Sequence, residues 1–212
     1  MKHTLEEICN TFGINQSDIL NAYSYGSHVY GTATQDSDYD YILVHKPAFI
    51  GPDKNAFKEN AKSSPDKKMQ IISFSRTGFK AELQRFNMSC LECINLPEEF
   101  VLQKKMDYNI ERYDEKEFVK NIIIKASNSW HLAVVSHKEG NHDHAAKGIY
   151  HALRILEFAL QIQTFGKIVN FPTAKLIKKV VADNIASLSQ LRHFRDEYFT
   201  KLRDQHQYEK SI

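Results

Sequence analysis

The stretch Gly26 to Asp40, GSHVYGTATQDSDYD, runs directly into the apolar segment Tyr41 to Val44 and constrains this chain more than any other part of it. Asp38 and Asp40 stand at i and i+2 on the approach to a strand. Side chains alternate along a strand, so both carboxylates point the same way. Placed side by side they repel, and a divalent cation relieves that repulsion; oxygen pairs of this kind suit Mg²⁺ or Mn²⁺. Upstream, Gly26-Ser27 follows the β-rich run Ala22 to Tyr25. A Gly-Ser turn that opens a helix presents free N–H groups to an anion, and Gly31 lets the backbone return tightly to the strand. An anion cradle beside metal-binding carboxylates is the equipment of phosphoryl or nucleotidyl transfer. A lone Asp-x-Asp is usually a surface strand edge and a lone Gly-Ser an ordinary turn. Their order, spacing and apolar continuation lift this segment above both.

Strands and helices alternate around it. Residues 3–12 carry Leu5, Ile8 and Phe12 at helical spacing, with Gly13 as a stop, and Ser17 to Leu20 extends this as a second short turn. Tyr39 to Val44 is the clearest strand, closed by Pro47. Residues 51–68 are polar and marked by Gly, Pro and Ser, the composition of a mobile loop. Met69 to Phe74 reads as a further strand, followed by a helix from about Gly78 to Asn87. Beyond residue 114 only helical spacing remains, through Phe118, Ile122 to Ile124 and Trp130 to Val134, then His144 to Ile162, then Ala174 to Arg203 with breaks. The reading is an α+β fold in two parts, a small mixed sheet with flanking helices over residues 1–112 and a helical domain over 113–212.

At about 150 residues per domain, 212 residues allow that division. Lys and Arg number 28 against 26 Asp and Glu, a net charge of +2 that excludes a histone-like polycation and an acidic tail but leaves room for a local basic face. Cys90 and Cys93 form a C-x-x-C with Leu91 and Glu92 between them. No second pair follows, so a four-ligand zinc site is not encoded, and with Cys9 the three thiols read as buried and reduced. The N-terminal MKHTLEEICN lacks the apolar core of a signal peptide, and no run approaches the ~18 apolar residues of a membrane span. A soluble, cytoplasm-like setting is the expectation.

The segment from Gly26 to Asp40 resembles the nucleotidyltransferase superfamily typified by DNA polymerase β, in which Gly-Ser is followed some ten residues later by Asp-x-Asp. The wording YGSHVYGTATQDSDYDYILV is most similar to the predicted RNA-repair nucleotidyltransferases of bacteria and phages. The strand, helix and Glu-containing segment of residues 69–100 and the KGIYHALR helix within residues 147–171 look like that group more loosely. The resemblance implies a metal-dependent nucleotidyltransferase core followed by a helical domain that closes the cleft. It implies Gly26 and Ser27 on the incoming triphosphate and Asp38 and Asp40 on Mg²⁺ or Mn²⁺. A nucleoside monophosphate would pass from a nucleoside triphosphate, ATP among the candidates, to a hydroxyl, with RNA as the favoured acceptor.

One position departs from the pattern. The third carboxylate that such enzymes place on a later strand falls on Gln70. A neutral amide orients a water or hydroxyl but accepts no proton at neutral pH. Three readings stand open: Asp66 or Glu92 supplies the missing carboxylate from elsewhere, the enzyme works slowly with two, or the fold keeps binding without chemistry. A toxin–antitoxin-type enzyme acting on tRNA or protein would use the same core.

Lys147, His151 and Arg154 recur at i, i+4 and i+7 on one helical face, with Ile149, Leu153, Leu156 and Leu160 opposite. That stripe is either a solvated outer face or, with the family likeness, a contact for triphosphate or acceptor. His28 lies within the phosphate loop and is a weaker nucleotide contact. His142 and His144 in GNHDH read as a solvated turn rather than a metal site. The basic residues Arg192, Arg195, Lys201 and Arg203 interleave with Asp196, Glu197 and Asp204, the pattern of a salt-bridged solvent face. Trp130, Phe158 and Phe165 read as core.

Overall fold

The computed structural model of the chain describes residues 3–46 and 60–208. The chain divides into two compact units, residues 1–112 and 113–212.

The first unit is built on a five-stranded mixed sheet in the order β3-β4-β2-β1-β5. Helix α1 (Leu5–Phe12) opens it with a capping box, the Thr4 side chain accepting from the Glu7 N–H while Glu7 reaches back to the Thr4 N–H, and it ends at Gly13. Strand β1 (Ile19–Tyr25) pairs antiparallel with β2 (Tyr39–His45) on one side and with β5 (Val101–Lys104) on the other. β2 lies parallel to β4 (Met69–Ser75), which carries β3 (Asn60–Ser63) as the edge. Tyr41 to His45 are all buried, because β2 is central and covered on both faces. One face packs Tyr41, Leu43, Ile71 and Ala22 against Leu5, Ile8 and Cys9 of α1. On the other, Tyr23 stacks on Phe79 at 6.2 Å and Phe74 meets Phe79 edge-on at 5.8 Å. Phe79 belongs to α2 (Arg76–Gln84), and α3 (Met88–Ile94) follows with Cys90 and Cys93 buried; like Cys9 they form no disulfide among the described residues.

The described residues of the second unit form four helices, α4 (Glu115–Lys138), α5 (His142–Phe165), α6 (Thr173–Asn184) and α7 (Leu188–Tyr208). α5 is the hub and packs on the other three. It comes close to α4 at Gly148, where a Cβ would stand 2.8 Å from that of Ala133. Trp130 and Phe158 are buried as expected, and Arg195 lies over the Trp130 ring at 4.8 Å. Phe165 is 59% exposed at the end of α5, so it does not belong to the core.

The mixed α+β architecture is as the sequence implies, with differences at the margins. The polar run 51–68 is not all loop: Asn60 to Ser63 form β3, while residues 51–59 and Pro47 lie outside the described residues. β5 is a strand that composition does not announce. α2 occupies Arg76–Gln84 rather than 78–87, because the Ser75 hydroxyl caps it by accepting the Gly78 N–H at 3.0 Å. No helix among the described residues is long and apolar enough to cross a membrane.

Candidate functional site

The site is assembled where β1 hands over to β2. β1 ends at Tyr25, whose antiparallel partner is Asp40. Residues Gly26 to His28 then make one 3-10 turn, and the loop's own bonds begin with the N–H groups of Val29 and Tyr30 donating to the Gly26 carbonyl at 3.0 and 3.2 Å. The N–H groups at the front of such a turn have no partner within it. The Thr32 N–H donates to the Ser27 carbonyl at 2.9 Å, and Gly31, at φ 67°, sends the chain back toward β2.

Gly26 faces Asp40 directly. Its φ is 76°, and a Cβ placed on it would lie 2.1 Å from Asp40 Oδ2 and 2.9 Å from Cγ. The turn and the carboxylate are therefore in van der Waals contact, and only glycine satisfies both the dihedral and the space. The Ser27 hydroxyl is buried and has no hydrogen-bond partner among the described residues.

Asp38, just ahead of β2, and Asp40 are half-buried. Gln70 is the register partner of Asp40 on β4 and shares its face of the sheet. Its amide N–H donates to Asp38 Oδ2. The position aligned with a third carboxylate thus does stand beside both aspartates, and it holds a neutral side chain. Neither proposed substitute joins them. Asp66 shapes the β3–β4 turn, accepting from the Ser64 hydroxyl at 2.6 Å and the Lys68 N–H at 3.0 Å, bonds that hold its carboxyl below the usual range. Glu92 is fully buried on α3 and accepts the Tyr30 hydroxyl. Among the described residues no three His, Cys, Asp or Glu side chains are grouped to hold a metal. Two carboxylates remain, with Gln70 able to turn its carbonyl oxygen toward them. That donor set fits Mg²⁺ or Mn²⁺ arriving with phosphates, since Mg²⁺ commonly binds through one or two carboxylates plus substrate oxygens.

A cavity of about 320 Å³ opens beside the site, lined by Ser24, Tyr25, His28, Tyr39, Asp40, Tyr41 and Phe100. His28 stacks flat on Tyr39, ring centroids 3.9 Å apart and planes within 9°. Within the loop His28 is thus a wall of this cavity.

The residues of α5 do not form one exposed stripe. Lys147 is exposed, His151 is half-buried, and Arg154 is only 4% exposed, lying 5.5 Å from the centroid of the Phe158 ring. The reading of a solvated face therefore fails for Arg154. Burial, with the charges of Arg154 and Lys147, pushes the His151 pKa down from 6.5 to about 3. Folded His151 then holds fewer protons than unfolded His151 between those values, so stability falls as pH drops below about 6.5. The slope is at most ~1.4 kcal/mol per pH unit, or about 2 kcal/mol by pH 5. Urea unfolding at pH 7.5 and pH 5 is expected to show this loss in the wild type and a smaller loss in His151→Gln; equal losses would assign the effect elsewhere.

At the α4–α5 corner, His144 Nδ1 pairs with the Ser136 hydroxyl at 2.9 Å and the His142 ring packs on that of His137, which is turn chemistry. On α7, Arg195 pairs with Asp196 at 2.6 Å and His193 lies 3.2 Å from Glu197, while Lys201 and Arg203 are exposed.

No family model and no curated protein matches the chain. Among solved structures it is similar to a nucleotidyltransferase-like protein from Exiguobacterium sibiricum 255-15, at 12% identity over 90% of this chain and 69% of that one, with a TM-score of 0.32. It is also similar to spectinomycin adenyltransferase from Enterococcus faecialis, solved with ATP and spectinomycin, at 11% identity over 95% of this chain and 100% of that one, with a TM-score of 0.48. At these identities and TM-scores, the likeness adds nothing to what the chain's own geometry shows.

Proposed function

We propose that this chain transfers a nucleoside monophosphate from a nucleoside triphosphate to a hydroxyl, with Mg²⁺ or Mn²⁺ held by Asp38 and Asp40 and with RNA as the acceptor. The observation that carries the reading is the contact of Gly26 with the Asp40 carboxylate. It joins an anion cradle to a cation-binding pair within one loop, as transfer from a triphosphate requires. The choice of RNA rests on the likeness of residues 25–44 to RNA-repair nucleotidyltransferases. In this reading the turn N–H groups and the Ser27 hydroxyl bind the triphosphate. Of the three residues on α5, Lys147 is exposed and available to an RNA acceptor, whereas His151 is half-buried and Arg154 is enclosed. When bound, the divalent cation neutralises phosphate charge and aligns the attack. The acceptor oxygen bonds to the α-phosphorus, the bond to the β-phosphate oxygen breaks, and pyrophosphate leaves. The hydroxyl proton passes to Asp38, Asp40 or water, because Gln70 cannot take it.

The Gln70–Asp38 bond favours a second reading, a nucleotide- or RNA-binding module without chemistry. Incubation with each of four α-labelled NTPs, Mg²⁺ or Mn²⁺ and total RNA separates the two. Transfer by the wild type supports the enzyme and names its nucleotide, and binding without transfer supports the silent module. Gln70→Asp sharpens the comparison, since it adds an anionic donor beside both aspartates. Its expected effect is Mg²⁺ affinity raised about tenfold and transfer raised about 10²–10⁴-fold, the worth of a general base. No gain in either quantity would show that the site is not organised around a third carboxylate.

A further inference from the structure

Glu92 is a buried acid for which the proposed chemistry has no use, and its surroundings point to another role. It is 0% exposed on α3, and its carboxylate accepts the hydroxyl of Tyr30, itself buried within the Gly26–Gly31 loop. One turn earlier on the same helix, the Ser89 hydroxyl pairs with that of Tyr25 at 2.9 Å. Tyr25 is the residue immediately before Gly26, and its ring meets that of Tyr30 edge-on at 6.0 Å. Ser89 and Glu92 are three residues apart and so share one face of α3. The helix is itself fixed. Asn87 caps it by accepting the Ser89 N–H at 3.0 Å and donates to Glu82 Oε2 of α2 at 3.0 Å, while Met88, Cys90, Leu91 and Cys93 are buried.

Two phenols thus bracket the cradle, and both are tied to one helix. The turn between them is three residues of 3-10 helix, too short to hold a position by its own hydrogen bonds. Its N–H groups can serve an anion only if the anchors at its ends fix where they point, and a misplacement of about 1 Å at such a site costs on the order of a hundredfold in rate.

We propose that Glu92 is a positioning residue for the phosphate cradle, acting through Tyr30 and together with the Ser89–Tyr25 pair to hold the Gly26–His28 turn against Asp40. The inference rests on the nucleotidyl-transfer reading for the ligand, and its test is separable from that reading. The variants are Tyr30→Phe, Glu92→Ala and Glu92→Gln. The measurements are the Kd for each of the four NTPs with Mg²⁺ and the exchange of the Val29, Tyr30 and Thr32 amides, which close the loop's own bonds. Amides of residues 41–44 in the central strand serve as the folding reference. Tyr30→Phe and Glu92→Ala are expected to weaken binding of the preferred NTP about 10- to 100-fold and to speed exchange in the loop while residues 41–44 stay protected. Glu92→Gln keeps an oxygen acceptor for Tyr30 and is expected to stay within about threefold of wild type. Wild-type loop exchange in Tyr30→Phe and Glu92→Ala overturns the proposal. So does equal deprotection of residues 41–44, which would make Glu92 a general support of the fold. If the wild-type chain binds none of the NTPs, the transfer reading falls on that result alone, and loop exchange still decides whether Glu92 braces the turn.

Discussion

The double variant Asp38→Asn, Asp40→Asn is expected to lose Mg²⁺-dependent nucleotide binding and to transfer no measurable label. Stabilisation by the cation amounts to several kcal/mol in the transition state, and 4 kcal/mol corresponds to about a thousandfold in rate. The two carboxylates are the anionic donors that the first unit brings together at Gly26, and Gln70 adds none. Folding is expected to survive, because removing two like charges relieves repulsion and the amide introduced by Asp38→Asn can still accept the Gln70 N–H through its own carbonyl. A thermal midpoint at or above that of wild type, with the Mg²⁺-dependent part of ATP affinity gone, is the expected pair of results. Unchanged Mg²⁺-dependent affinity in a folded double variant would remove the site assignment altogether. A collapsed midpoint would instead show that the pair is structural.

Local rules make the core of this site legible in the chain itself. Period-two alternation places Asp38 and Asp40 on one side, and the tight return expected of Gly31 is found at φ 67°. Gln70 is legible only through the family resemblance, which puts a carboxylate at its position; the parallel pairing of β4 with β2 that sets it opposite Asp40 is not announced by the sequence. What is not legible depends on partners distant in sequence. Asn60 to Ser63 are polar and form a strand only because β4 offers them an edge. Glu92 can be read as a spare metal ligand because nothing local reveals that Tyr30, 62 residues away, donates to it. Arg154 follows the same logic. Helical spacing puts it in line with Lys147, but burial depends on what packs over each position, and Arg154 is enclosed where Lys147 is exposed.

Gly26→Ala is expected to act as a functional loss of Asp40 rather than as an ordinary glycine substitution. At φ 76° an alanine costs about 1–2 kcal/mol from the dihedral alone. Its Cβ would also fall 2.1 Å from Asp40 Oδ2 and 2.9 Å from Cγ, so the carboxylate must swing away. The Asp40 Cβ, at 3.1 Å, cannot follow, because it is fixed to β2. Mg²⁺-dependent nucleotide affinity should then fall about a hundredfold or more, the penalty for displacing a group that must be held in place. A thermodynamic cycle separates the dihedral from the clash. In an Asp40→Gly background all three close atoms are gone, and Gly26→Ala should cost only the dihedral part of folding stability. In the wild type it should cost more by a coupling of about 0.5–3 kcal/mol, the range for residues in contact. Costs that simply add would mean that Gly26 is required by the turn and not by Asp40. Wild-type affinity in Gly26→Ala would go further, because a cradle that tolerates a methyl group against its carboxylate is not built to bring phosphate and cation together.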